Sequence, residues 1–255
     1  MSKRIASLVP SLTELVFALG LGPRLVARTG YCIHPAGNVR EVPKVGGTKA
    51  VNLAKLRRLA PTHVLVNVDE NRHDIVAALH EMGAQVIVTH PCDPEDNLAL
   101  VDQLAQAFGD EPGVMAHAAA LRSALQHELG ETRDDFRPAS RVLYLIWCDP
   151  WMTVARDTYL SRMLARIGWH TEPAQEGGVQ GAARYPVVQG DEPWLRDVQQ
   201  VLLSSEPFRF EAGHLARAQA LCPQARVRRV DGELLSWYGV RAVQGLRYLR
   251  ELARG

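Results

Sequence analysis

The chain has 255 residues, 29 lysines and arginines against 28 aspartates and glutamates, and a hydrophobic fraction of 47%. That balance excludes the strong field needed to recruit nucleic acid or an anionic membrane, and no apolar run is long enough to cross a bilayer. Cys32, Cys92, Cys148 and Cys222 lie far apart without C-x-x-C spacing, a pattern that fits reduced cytoplasmic thiols better than a disulfide scaffold.

The chain opens with two basic residues and an apolar stretch, "SLVPSLTELVFALGLG", which has the outline of an export signal. Pro10, Ser11, Thr13 and Glu14 interrupt it, and a carboxylate in the middle is costly in a signal core. A strand over 5–9 and a helix over 12–20 are predicted instead, with Ser11 as cap, Glu14 completing a capping box, and Gly20 and Gly22 ending the helix. On this reading the mature fold begins at residue 4, and a cytoplasmic location is expected.

Further strands are predicted at 25–29, 63–67, 85–89, 141–146, 200–204 and 226–230. Helices are predicted at 52–59, 70–82, 95–108, 157–168, 211–220 and 240–253. Strands alternating with helices imply parallel βαβ units. "RIASLV" and "RVLYLI", then Val64 to Val66 and Val201 to Leu203, then Val86 and Val227, keep chain order at nearly constant offset. Two α/β lobes of like topology follow: residues 1–109, a linking helix over 110–136, and residues 137–255. Asp110, Glu111 and Pro112 are good helix-start residues for the linker, and Ala118, Leu121, Leu125 and Leu129 recur at helical spacing. About 20 helical residues would make a strut about 30 Å long.

Open α/β sheets bind ligands beyond the carboxyl ends of their strands. Those positions hold Tyr31, Asp69, Glu70, Asn71 and Arg72 in the first half. In the second they hold Trp147, Trp151, Met152, Glu206, Phe208, Trp237 and Tyr238. Aromatic side chains at strand ends suit a flat apolar ligand. Asp69 and Glu70 also suit the start of a helix, and Glu206 takes the matching place in the second half. Cys32, His34, His90 and Cys92 form a zinc-compatible ligand set if their segments meet. No GxSxG, P-loop, HExxH or helix-opening GxGxxG is present, and no enzyme activity is expected.

The segments "RIASLVPSLTELVFALGLG", "GYCIHP", "VPKVGGTKAVNLAKLRRLAPTHVLV" and "WYGVR" resemble the class III substrate-binding proteins, the helical-backbone receptors for cobalamin and iron chelates. The resemblance implies two Rossmann-like lobes with parallel sheets, joined by one long helix, and a metal chelate in the cleft between them. It places Tyr31, Trp147, Trp151, Met152, Tyr185 and the segment Trp237 to Arg241 at ligand positions. The two first-lobe tryptophan positions of the corrinoid branch are Thr48 and Asn67 here. That family docks its permease through one glutamate on each lobe; Ala54 and Trp169-His170 occupy those places, so docking by that route is not expected. The function expected is non-catalytic binding of a corrinoid or related chelate in the cytoplasm, with no required cofactor. An importer receptor whose export signal lies outside this chain is the alternative, and a metal-dependent enzyme reusing the cleft is the third.

Overall fold

The computed structural model describes residues 3–133 and 138–254. The chain forms two compact units. The first comprises Met1–Pro91, Asp96–Leu125 and Tyr238–Arg241; the second comprises Cys92–Glu95, Gln126–Trp237 and Ala242–Gly255.

The first unit is built on four parallel strands, β1 (Ile5–Ser7), β2 (Leu25–Arg28), β3 (His63–Asn67) and β4 (Gln85–Thr89), in the order β2-β1-β3-β4. The helices α1 (Pro10–Ala18), α2 (Leu53–Arg58), α3 (His73–Glu81) and α4 (Asp96–Phe108) connect and cover them. Ala6, Leu8, Val64, Val66, Leu56 and Leu79 form one buried cluster, which is why β3 reads as a nearly continuous apolar run.

Two helix starts differ from the sequence reading. α1 begins at Pro10, after an extended Val9, with no side-chain cap. Proline's fixed φ and missing N–H suit the first helical position, so Ser11 is already inside the helix and buried. Glu14 does not cap; its carboxylate takes Arg241. α3 begins at His73, because Asn67 and Asn71 first make a turn: Asp69 N–H donates to Asn67 Oδ1 and Asn67 N–H to Asn71 Oδ1.

Helix α5 (Val114–Arg133) supplies 20 residues of the predicted linker, and the division between units falls inside it, after Leu125. Positions 134–136 of that linker lie outside the described residues.

The second unit repeats the topology. Its parallel strands β5 (Ser140–Leu145), β7 (Trp169–Thr171), β9 (Gln200–Ser204) and β10 (Arg226–Val230) run in the order β10-β9-β5-β7. β6 (Trp151–Met152) and β8 (Val187–Val188) form a separate antiparallel pair. The helices are α6 (Tyr159–Ala165), α7 (Ala212–Leu221), α8 (Gly232–Ser236) and α9 (Arg241–Arg254). Along β5, Leu143 and Leu145 enter one buried cluster while Val142 and Tyr144 enter another. Both faces of this sheet are therefore covered, and the sequence shows no polar alternation. Tyr144 satisfies its buried hydroxyl by donating to Ser204 Oγ at 3.0 Å.

Two buried carboxylates among the described residues of this unit are paired with arginines. Glu128 receives Arg247 and Arg250, and Glu172 receives Arg141 and Arg156. Burial opposes Glu128 ionisation, but the two guanidinium groups prevail and hold its carboxyl below the usual range.

Candidate functional site

At the carboxyl end of the first unit's sheet, Tyr31 is 65% exposed. A side chain on Gly47 would come within 3.2 Å of the Tyr31 ring, so the bare glycine backbone gives that ring its seat. The glycine belongs to a tight turn over 46–51, closed by an antiparallel Gly46–Val51 bridge in which Gly47 N–H donates to Ala50 O at 3.0 Å and Asn52 N–H to Val45 O at 2.7 Å. Asn71 Nδ2 donates to Thr48 O at 3.0 Å and to Leu8 O at 3.3 Å, and Lys49 Nζ donates to Asp69 O at 2.5 Å. Buried Asn71 thus holds the turn in place and is no surface contact. Asn67 is buried as well and shapes the following turn. Arg72 is exposed and occupied with Asp74.

Glu70 accepts from Tyr238 Oη at 3.1 Å. Burial, and then the Glu70 charge, push the Tyr238 hydroxyl well above its ordinary pKa, so it stays a donor. Gly239 N–H donates to Asn97 Oδ1 at 2.6 Å, and Arg241 grips Glu14. The late segment is therefore fastened into the first unit at three successive places. Asn97 carries this role unannounced: an asparagine in a helical run gives no sequence signal for it.

The cysteine and histidine quartet is not gathered into one ligand set among the described residues. Among the described residues no group of three or more His, Cys, Asp or Glu side chains is placed to hold a metal ion. Cys32 is buried beside Thr29 Oγ1, and burial raises its thiol pKa, against the thiolate a metal would need. His90 Nε2 faces Asp69 Oδ2 at 3.4 Å. Cys92 belongs to the second unit, where Arg184 Nη2 approaches its sulfur at 3.7 Å. His34, half-buried, follows Cys32 in the first unit without completing a ligand set.

The second unit gathers aromatic side chains at the ends of β5 and β9. Trp147, 40% exposed, meets Phe208 edge-on at 5.3 Å between centroids. Phe208 lies against Phe210 at 4.9 Å, and Phe210 stacks on Trp151 at 6.2 Å with 15° between planes. Met152 pairs with Val187 across β6 and β8. Tyr185 is half-buried and packs against the core cluster that contains Tyr144.

Phe210, His214, Arg217 and Asp149 escaped the sequence reading. His214 meets Phe208 and Phe210 edge-on and shares a capping box with Glu211 at the start of α7. The spacing from Phe208 to Phe210 places two rings on one side of an extended segment, which was the available clue.

Glu206 takes a hydrogen bond from Trp237 Nε1 at 2.6 Å and one from Ser236 Oγ at 3.0 Å. Burial raises its pKa despite those donors. Trp237 is itself buried, so this pair braces the loops rather than presenting a surface. A separate open groove of about 600 Å³, lined by Phe17, Pro23, Leu25, Val42 and Pro43 among others, includes none of the predicted site residues.

Ala54, at one expected acidic docking position, is exposed on α2. At the other, Trp169 is buried with the Arg228 guanidinium 4.9 Å from its ring centroid, and His170 is exposed. No described helix is long and apolar enough to cross a membrane.

Residues 5–192 match the protein family described as "Periplasmic binding protein". The uncharacterised ABC transporter substrate-binding lipoprotein YvrC of Bacillus subtilis is 24% identical over 98% of this chain and 79% of its own. The crystal structure of the periplasmic vitamin B12 binding protein BtuF of Vibrio cholerae aligns with a TM-score of 0.80, 21% identity, and coverage of 99% of this chain and 98% of the other. A periplasmic heme binding protein from Pseudomonas aeruginosa aligns with a TM-score of 0.81, 21% identity, and coverage of 99% and 93%. At these identities the two structures establish a shared fold.

Proposed function

Because the chain belongs to the periplasmic binding protein family, we propose that it is the substrate-binding component of an ABC importer and carries a planar metal chelate. It is a binding protein and not an enzyme. The chelate is a corrinoid of the cobalamin type, with a haem-type porphyrin as the second candidate; relatives of both specificities share the fold.

The observation that carries the reading is the exposed edge of the aromatic cluster, Trp147 with Phe208, at the carboxyl end of the second sheet. Exposed rings of that size offer flat apolar area and a π face to a macrocycle. Tyr31 offers the same on the first unit.

Titrating the purified protein with cyanocobalamin, cobinamide, hemin and a ferric siderophore tests this directly. Binding of one of them with a spectral change or calorimetric heat is expected. Silence with all four sinks the reading.

The cytoplasmic storage, delivery or sensing role expected from the interrupted N-terminal run is the second reading. The description of YvrC as an ABC transporter substrate-binding lipoprotein supports the importer over it. Ala54 and Trp169-His170 supply no docking acid, so contact with a permease would rest on other side chains. Fractionation of the native host separates the two roles: protein confined to the cytosol excludes the importer.

A further inference from the structure

The hairpin that carries Trp147 and Trp151 has a strained tip. Ile146 N–H donates to Met152 O at 2.9 Å and Met152 N–H to Trp147 O at 3.2 Å, so the chain reverses within a few residues. Asp149 makes the reversal at φ 60°, in the left-handed region. Aspartate tolerates that region better than most residues, but still at a cost. Strain of this kind persists where the surroundings over-determine it, and it concentrates at ligand-handling sites.

Arg217, on α7, reaches the Asp149 side chain at this tip. Its Nη2 donates to Asp149 Oδ1 at 2.6 Å and its Nη1 to Oδ2 at 3.1 Å. The same guanidinium lies 5.3 Å from the Trp151 ring centroid. One turn earlier on the helix, His214 touches Phe208 and Phe210. One face of α7 therefore meets the hairpin tip, the indole and both phenyl rings. The Asp149 and Arg217 side chains are 72% and 49% exposed, and a pair so open adds little to global stability. A bidentate fork does fix direction, because both of its bonds constrain the planes of the two groups.

We propose that Asp149 and Arg217 are positioning residues, which lock the tip of the Trp147–Trp151 hairpin onto α7 and so set the pose of the aromatic face that receives the chelate. The step from pose to ligand rests on the binding role proposed above.

The test uses the full chain labelled with 5-fluorotryptophan, the Trp151 resonance being assigned with Trp151→Phe. In ligand-free protein, Arg217→Met and Asp149→Gly should move the Trp151 line alike. Glycine keeps the left-handed backbone but lacks the carboxylate, so backbone strain and the ion pair are separated. Asp149→Asn retains one acceptor and should give an intermediate shift. Titration with cyanocobalamin and hemin should show affinity falling about two- to fivefold in the first two variants, the scale of an exposed pair. Added salt should weaken wild-type binding toward the variant value and leave the variants unchanged.

An unmoved Trp151 line in both variants overturns the proposal. So does unchanged affinity in both where Trp147→Ala lowers it. If Trp147→Ala leaves binding of both probes intact, the aromatic face is not the ligand surface, and the fluorine line alone decides the positioning role.

Discussion

Arg241 sets its Nε and Nη2 on the two carboxylate oxygens of Glu14, each at 2.8 Å, across 227 positions of sequence. The side chains are 13% and 20% exposed, so each charge depends on the other for much of its solvation. Glu14→Gln leaves the guanidinium without its carboxylate and should destabilise the protein by about 2 kcal/mol. A lower midpoint in urea with an unchanged slope is the expected result. An unchanged midpoint would show the pair to be dispensable.

Stability at acid pH should depend on Glu128. Its folded pKa lies below its ordinary value of 4.5, so its contribution is complete above that value and is lost as pH falls through the folded pKa. Thermal melts of wild type and Glu128→Gln should therefore differ near pH 7 and converge below the carboxylate range. A difference that stays constant across pH would assign the effect to packing alone.

The turn over 46–51 depends on glycine at two places for different reasons. A Cβ on Gly46, at φ 102°, would stand 2.3 Å from Ala50 O. Gly46→Ala should cost about 2 kcal/mol through strain and overlap. Gly47→Ala meets only the Tyr31 ring, at 3.2 Å, and should displace that ring with little loss of stability. Melting temperatures for both variants, with cyanocobalamin and hemin affinities for the second, distinguish the two effects.

Trp147→Ala should leave the melting temperature nearly unchanged, because the ring is 40% exposed, and lower the affinity for the preferred chelate about tenfold. Isothermal titration measures it. A large fall in melting temperature would instead place the ring among the residues that hold the fold.

Much of this architecture is legible in the sequence because parallel strands covered on both faces are uniform apolar runs. The internal correspondence of "RIASLV" with "RVLYLI", and of Val64 to Val66 with Val201 to Leu203, matches β1 with β5 and β3 with β9; Val86 and Val227 match β4 with β10. The orders β2-β1-β3-β4 and β10-β9-β5-β7 are the same arrangement when β2 is matched to β7. β7 was missed because Trp169–Thr171 has three residues and an exposed histidine in the middle. β6 and β8, at two residues each, carry no period at all.

The candidate site was legible in residue type and less so in role. Strand-end positions located Trp147, Trp151 and Phe208, and also buried side chains such as Asn71 and Trp237, whose work is to brace loops. Adjacent residues at a strand end point to different sides, and sequence position alone does not say which one reaches solvent. Arg217 and Asp149 met only through folding, 68 positions apart.

The interleaving of the two units limits how the gene can be divided. A break within α5 would give an N-terminal fragment lacking Tyr238–Arg241, leaving Glu14, Glu70 and Asn97 without the groups they now hold. The C-terminal fragment would in turn lose Asp93 and Glu95, the partners of Arg162 and Arg166. Neither half is a self-contained module, so shuffling one against a relative's counterpart requires exchanging three stretches of chain together.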